Sequence, residues 1–411
     1  MSSPTRRSFL GSSAAAVAAT TFPATTRAAG ANDRVGVALI GCGGMGNNHL
    51  KLLVNRSDVR VVALCDPDAN RLALSAKTVE AGGTTPKTAK DLRTVLDDKD
   101  IAAVWIATPD HWHAPATILA CDAGKHVYVE KPCSHNIREG RLMLDAARRT
   151  NRVVQVGTQA RSSAHALKAI ERLRDGLIGT VLVAKAWNSQ LRRNIGHQKP
   201  SNPPAYLDYD LWIGPAPMRP YQSNLLPGIW RFWHAFGVGD IGNDGVHELD
   251  VARWGLGVRT HPSTVAALGG KFFFDDDQQF PDNQYCVFEY PGDGTVGHKR
   301  QLVYEQRDWS PYVQEGHENG VAFYGTKGYM ILGKGTWEAF GPKNAPLEKF
   351  TGGRPDLAAH HQNFLDCARE GKRPNADVEE GHLSAALAHL GNIACRVNRV
   401  VRFDPTREQV L

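Results

Sequence analysis

A parallel α/β domain followed by an α+β domain with an open, largely antiparallel sheet is the architecture this sequence predicts. Three observations predict it. Val35-Gly36-Val37-Ala38-Leu39-Ile40, a short run rich in branched residues, feeds into Gly41-Cys42-Gly43-Gly44-Met45-Gly46 and then into a helical opening at residues 47–54. A second apolar run, Val61 to Cys65, ends on Asp66, 20 residues beyond Gly46. From Val35 to about Gln155 short apolar strands alternate with helical patterns, whereas strands dominate after about Gly157. Continuous branched runs mark strands buried on both faces, and their alternation with helices argues for a parallel sheet.

The first strand and its glycines read as a dinucleotide fingerprint. Gly41 permits the tight turn, Gly43 leaves room for a pyrophosphate against the backbone, and Gly46 allows close packing of helix on strand. The helix N-terminus adds free N–H groups and partial positive charge. Cys42, Gly44 and Met45 complete the loop and join the candidate cofactor contacts. Asp66 ends the second strand, where a carboxylate accepts hydrogen bonds from ribose hydroxyls. Residues 33–156 are therefore expected to form a Rossmann domain that binds NAD. Ala89 to Leu96 reads as helical, and Ile101 to Ala107 as the third strand. That strand ends at Thr108-Pro109-Asp110-His111-Trp112-His113, where Thr108, Pro109, His111 and His113 are candidates for holding nicotinamide or sugar. Two histidines without further ligands do not make a metal site, and no metal is expected. A helix over residues 113–123 leads to the strand His126 to Lys131, whose carboxyl end sets Glu130 and Lys131 on the ligand edge of the sheet. Lys131 there can hydrogen-bond a substrate hydroxyl and move protons. Residues 137–150 read as a helix and 152–156 as the last strand of this half.

Residues 157–411 are expected to form the substrate-binding and oligomerisation domain. A helix is read at 163–175, strands at 181–188, 264–274, 284–290, 300–306, 321–324, 329–332 and 336–340, and helices at 356–370 and 378–397. Several of these strands alternate apolar and polar residues, as a sheet with one wet face does. Gly239 to Asp250 opens a further helix, with Asn243 or Asp244 as its cap. Asn243 and His247 stand four apart and so share a helical face. An imidazole near Lys131 suits proton transfer. Asp244, one position later, is expected to face elsewhere on the turn, although it joins the candidate substrate contacts. Trp187 and Trp230 lie in aromatic and basic stretches, and flat rings stack on the C–H faces of sugars. Arg161, which follows Val156-Gly157-Thr158-Gln159, enters the second domain near the cleft and is another candidate.

The first 29 residues read as an export signal. Thr5-Arg6-Arg7-Ser8-Phe9-Leu10 is a twin-arginine pattern, followed by an Ala/Ser/Thr-rich stretch with a cleavage point near Ala28-Ala29. This predicts a periplasmic protein that folds, and loads its cofactor, before transit. Lys and Arg total 48 and Asp and Glu 42; without Arg6, Arg7 and Arg27 the balance is 45 against 42, or +3. No basic block stands out, so neither nucleic acid nor a membrane surface is an expected partner. No later segment has the ~20 apolar residues of a spanning helix. The seven cysteines contain no C-x-x-C pair and read as small buried apolar groups, with a disulfide after export left open.

The fingerprint Gly41 to Gly46, the tripeptide Glu130-Lys131-Pro132 and the helix entry His247-Glu248-Leu249-Asp250 together resemble the glucose–fructose oxidoreductase / inositol dehydrogenase / rhizopine-catabolism (Gfo/Idh/MocA) family. The resemblance spans nearly all of the chain after the signal. It implies a nicotinamide cofactor bound between the two domains, with Lys131 and His247 catalytic. That family often has Asp four residues before the histidine, where this chain has Asn243. An Asn cannot be the carboxylate of a proton relay, though it can position a hydroxyl. Three functions follow: an NAD(P)-dependent oxidoreductase of a sugar, sugar derivative or cyclitol with a retained cofactor; a glycoside hydrolase or lyase that oxidises and re-reduces one sugar; or a nucleotide-binding protein without turnover. A homo-oligomer through the open sheet face is expected. Asp66 repels a 2′-phosphate and Pro67 stands where an Arg would bind one. NAD is therefore expected to bind more tightly than NADP in titration calorimetry, and the reverse order refutes the role given to Asp66.

Overall fold

The computed structural model describes residues 34–411. The twin-arginine segment and its cleavage point lie outside the described residues. The first domain is built from β1 (Val35–Ile40), α1 (Gly44–Leu53), β2 (Val59–Cys65), α2 (Ala69–Glu80), β3 (Lys87–Ala89), α3 (Leu92–Leu96), β4 (Ala103–Ile106), α4 (Asp110–Asp122), β5 (His126–Val129), α5 (Ile137–Thr150) and β6 (Val154–Val156). Its six strands are all parallel, in the order β3-β2-β1-β4-β5-β6. The order reverses between β1 and β4, which opens a crevice at the carboxyl ends of those strands. The stretch 89–96, read as one helix, is instead the end of edge strand β3 followed by α3. Asp91 starts that helix by accepting the Arg93 N–H at 2.9 Å. A three-residue edge strand carries too little pattern to announce itself.

The glycine turn is fixed by space. Gly41 has φ +94°, and a Cβ on Gly46 would stand 1.9 Å from the Gly41 carbonyl oxygen. Only glycine lets α1 sit this close to β1.

The second domain comprises α6 (Ala164–Arg174), β7 (Val181–Asn188), α7 (Tyr209–Ile213), α8 (Gly239–Asn243), α9 (Gly245–Leu256), β8 (Thr264–Gly270), β9 (Asn283–Tyr290), β10 (Arg300–Arg307), β11 (Asn319–Gly325), β12 (Tyr329–Leu332), β13 (Trp337–Phe340), β14 (Pro346–Phe350), α10 (Leu357–Glu370), α11 (Val378–Val397), β15 (Val401–Asp404) and β16 (Gln409–Val410). Ten strands form one sheet, in the order β14-β13-β12-β11-β7-β10-β9-β8-β15-β16. Only β7 and β10 pair in parallel. Apolar residues of α6, α9 and α11 cover one face, where Leu173, Leu249, Leu390, Phe288 and Phe323 are buried together. On the strands, Leu268, Tyr285 and Tyr324 remain exposed. The strand read as 264–274 stops at Gly270, because the Asp282 carboxylate turns the chain by accepting the N–H groups of Phe272 and Phe274, each at 2.8 Å. Strands β14, β15 and β16 lie outside the strands read from sequence; β14 is an edge strand that opens on Pro346, which weakens a strand pattern.

Two features join the halves. Helix α10 belongs to the second half by sequence but packs on the first sheet, where Phe364 and Leu365 are buried with Leu39, Trp105 and Tyr128. The segment 195–237, between β7 and α8, folds around a small core of its own that includes Leu207, Trp212, Leu225 and Phe236. It is strapped across the first domain. The Ala69 N–H donates to the Tyr206 carbonyl at 2.9 Å, and the Asp208 N–H to the Pro67 carbonyl at 3.0 Å. The Trp112 indole N–H donates to the Trp212 carbonyl at 3.0 Å. All seven cysteines are free thiols, six of them buried.

Candidate active site

The crevice between the domains is a cavity of about 780 Å³. Its dinucleotide end is the glycine turn with Gly41, Gly43, Gly44 and Met45, together with Asp66 and Arg71. Asp66 is held by two backbone donors, the Cys42 N–H at 2.7 Å and the Asp68 N–H at 2.8 Å. Burial nevertheless raises its pKa. Each carboxylate oxygen keeps a lone pair for a ribose hydroxyl. A Cβ on Gly43 would stand 3.1 Å from Arg71 Nη1, so this glycine keeps the loop open beneath the guanidinium. Bare backbone at Gly43, a free helix N-terminus at α1 and the Asp66 carboxylate fit a dinucleotide. Cys42 and Gly46 do not line the cleft: the Cys42 thiol is buried and Gly46 packs on Gly41.

The other end is set by Glu130 and Lys131, just beyond β5. Glu130 is buried, and a buried carboxylate must be paired. Its Oε1 faces His49 Nε2 at 2.9 Å. His361 Nε2 accepts the Trp105 indole N–H at 3.2 Å and lies 2.8 Å from His49 Nδ1. The His49 ring therefore bridges the Glu130 carboxylate and His361. Burial alone would raise the Glu130 pKa, but the His49 hydrogen bond and charge prevail and hold it at about 2. The pair fixes the backbone from which Lys131 projects. Neither His49 nor His361 could be singled out from sequence, where each is one histidine on an amphipathic helix.

Lys131 Nζ donates to the Asn243 carbonyl oxygen and lies 3.5 Å from Asn243 Oδ1. The Asn243 amide donates in turn to Asp240 Oδ1 at 3.0 Å. Asn243 ends α8 and His247 lies in α9, because the helical run breaks at Asp244. That break overturns two expectations. Asp244 occupies the N-cap position but makes no side-chain cap, and it does not face away. It lines the cleft, pairs with Arg192, and senses the charges of Lys131 and His247. Burial pushes its pKa up, yet Arg192 and Lys131 hold it below the usual carboxylate range. Arg192 also grips Asp240 at 2.9 Å. Burial and the Lys131 charge bring His247 down to about 4, so it is a neutral imidazole near pH 7. A carboxylate that feels the charges of Lys131 and His247 without pairing directly with Lys131 is thus present, one residue later than the resemblance implies.

Thr108, Pro109, His113 and Trp230 also line the cleft. His113 is locked between the Pro132 carbonyl at 2.7 Å and the Thr108 carbonyl at 2.9 Å, which braces the loop after β5. Besides Cys42 and Gly46, three further candidates lie off the cleft. His111 Nε2 bonds the Trp212 carbonyl at 3.1 Å and is buried under the strap. Arg161 is buried in a bidentate pair with Asp250, at 2.8 Å, and also meets Glu380. Trp187 is buried in the sheet, with its indole N–H on the His317 carbonyl at 3.1 Å. Aromatic and basic composition alone could not separate these packed groups from ligand contacts.

Known proteins share this two-domain architecture. The family described as "Oxidoreductase family, NAD-binding Rossmann fold" matches residues 35–158, and "Oxidoreductase family, C-terminal alpha/beta domain" matches residues 183–411. The chain belongs to the Gfo/Idh/MocA family. It is 29% identical to inositol 2-dehydrogenase 2 of Saccharopolyspora erythraea over 62% of each chain. It is 32% identical to a glycosyl hydrolase family 109 protein of Shewanella pealeana over 38% of this chain and 35% of that protein. The chain thus spans from about a third to about three fifths of these curated relatives. In fold it is similar to an aldose–aldose oxidoreductase from Caulobacter crescentus crystallised with glycerol, with TM-score 0.67, 20% identity and 90% and 100% of the two chains covered. A levoglucosan dehydrogenase complexed with NADH and levoglucosan superposes equally well, with TM-score 0.67, 20% identity and 90% and 99% covered.

Two predictions follow from the charges. Glu130 has a depressed folded-state pKa, so its stabilisation is complete above the unfolded value and is lost as pH falls from about 4.5 toward about 2. His49→Gln is expected to cost about 3–5 kcal/mol at pH 7 in chemical unfolding, because it strands the carboxylate. Glu130→Gln is expected to flatten part of the acid limb of stability against pH. Asn243→Asp sets a second carboxylate against Asp240, so its penalty should grow as pH rises above the carboxylate range. Thermal melts of this variant and the parent at pH 4 and pH 8 check it, and an equal gap at both values refutes the contact.

Proposed function

We propose that this protein is an NAD-dependent dehydrogenase acting on a ring hydroxyl of a sugar, sugar derivative or cyclitol. One observation carries the reading: Lys131, Asp244 and a neutral His247 converge at the far end of a cleft whose near end is a dinucleotide loop. The relatives named inositol 2-dehydrogenase and levoglucosan dehydrogenase support the substrate class. When bound, the nicotinamide supplies the hydride acceptor, and Gly43, Met45, Asp66 and Thr108 are placed to hold the dinucleotide. Lys131 donates to the substrate hydroxyl oxygen and keeps it aimed. His247 receives the hydroxyl proton, and Asp244 stabilises the imidazolium that results. Arg192 keeps Asp244 ionised. Trp230 offers a flat face to the ring. A protein without turnover would have no use for a lysine in the cleft beside an imidazole held neutral.

A redox-neutral cycle is the second reading, in which one sugar is oxidised and re-reduced, or two sugars alternate on one cofactor. The strap favours it, because segment 195–237 is bonded to the β2–α2 turn beside Asp66 and hinders cofactor exchange. The twin-arginine pattern favours it too, because no free dinucleotide pool serves a periplasmic enzyme. Relatives named glycosyl hydrolase family 109 protein and alpha-N-acetylgalactosaminidase are in keeping with it. We also propose periplasmic export by the twin-arginine route, and assembly through the sheet face that exposes Leu268, Tyr285 and Tyr324.

Lys131→Ala and His247→Ala are each expected to lower turnover by about 10²–10⁴-fold while keeping the parent's melting temperature within a few degrees. Unchanged turnover in either variant removes that residue from the mechanism. Native mass spectrometry of the protein purified without added cofactor is expected to show bound dinucleotide. An empty protein that turns over only with stoichiometric free NAD refutes retention and leaves the ordinary dehydrogenase.

A further inference from the structure

Arg231 lies on the strap, in the short helical turn Ile229–Phe232, and its side chain lines the cleft. The other two arginines of the cleft are matched. Arg192 is taken by Asp240 and Asp244, and Arg71 stands 3.4 Å from Asp68. Arg231 forms no ion pair with any carboxylate among the described residues, and its Nε is buried without a hydrogen-bond partner. A partly desolvated guanidinium without an anion is costly.

The neighbours of Arg231 locate it. Asp110, at the start of α4, faces both Lys131 and Arg231. Arg231 is therefore at the reacting end of the cleft, whereas Arg71 stands at the glycine loop that takes the pyrophosphate. Burial raises the Asp110 pKa against the pull of Lys131 and Arg231, so this carboxyl is a weakened counter-charge for both. Lys131 rests on the neutral oxygens of Asn243, so it too lacks an ion pair. The Arg231 guanidinium carbon lies over the Trp230 ring, 5.4 Å from its centroid, which holds the cation against a ring that lines the cleft.

We propose that the cleft selects a sugar derivative that carries an anionic group, carboxylate or phosphate, and that Arg231 receives that group while Lys131 and His247 hold the hydroxyl to be oxidised. A guanidinium presents paired N–H donors that match either anion in a bidentate contact. The reacting carbon and the anion then lie on one sugar ring. The proposal rests on the dehydrogenase reading of the cleft, and binding can be measured apart from turnover.

The test is titration calorimetry of the NAD-saturated protein and its Arg231→Gln variant. The probes are glucose, galactose and mannose, their uronates and their 6-phosphates. At least one anionic sugar is expected to bind the parent about tenfold to a hundredfold more tightly than its neutral counterpart, the worth of a charge-assisted hydrogen-bond pair. In Arg231→Gln that preference is expected to vanish while NAD affinity stays at the parent value. A preference for uronates identifies the anion as a carboxylate, and one for 6-phosphates as a phosphate. Equal affinity for neutral and anionic sugars, absence of binding by any anionic sugar, or loss of NAD affinity in the variant overturns the proposal. Anion-selective binding that never reduces the bound NAD at 340 nm would sustain Arg231 and refute the dehydrogenase reading instead.

Discussion

A single buried charge, the Glu130 carboxylate, sets the terms for the rest of the molecule. It sits beyond the end of β5 with almost no solvent, so an opposite charge has to be built against it. His49 of α1 stands against it at 2.9 Å, and His361 of α10 and Trp105 of β4 orient the imidazole. The absence of a side chain at Gly157 is part of the same arrangement, because a Cβ there would stand 2.6 Å from Glu130 Oε1. One hydrogen-bonded cluster therefore ties together the glycine-turn helix, two central strands, the exit from the sheet and a helix from the far end of the chain. Lys131 inherits its position from this knot.

The cleft places opposite charges in layers. Asp240 lies deepest, Arg192 bridges it to Asp244, and Asp244 faces Lys131 and His247. Asn243 threads this stack as a neutral link, donating to Asp240 and accepting from Lys131. A carboxylate at 243 would meet Asp240 as a like charge. The asparagine is thus the choice that the buried aspartate beneath it allows, and the carboxylate function moves to the next residue, where Arg192 can balance it.

The strap gives the cleft its second wall. It buries aromatic residues in a small core of its own, so it is a folded element rather than a loose loop. Its backbone bonds to Pro67 and Ala69 fall beside Asp66. A ligand bound beneath it adds to stability by mass action, ~4 kcal/mol at ~1,000 times its dissociation constant. A tightly held cofactor would therefore register as added fold stability.

The sequence by itself determined five of the six strands of the first sheet, the glycine turn and the places of Asp66, Lys131 and His247, since each depends on local pattern: branched runs, a spacing of glycines, a residue at a strand end. It also carried the long helices α10 and α11 and most second-domain strands, whose alternation is strong. Tertiary structure alone decided the rest. The break at Asp244 turns a carboxylate toward the site that helical periodicity would have turned away. Arg161 and Trp187 look like ligand contacts in one dimension, but Asp250 and the sheet claim them. His49, His361 and Arg231 carry no local signal, because what distinguishes them is a partner brought from elsewhere in the chain, or the lack of one. Periodicity records which face of an element is buried; it does not record what the fold sets against that face.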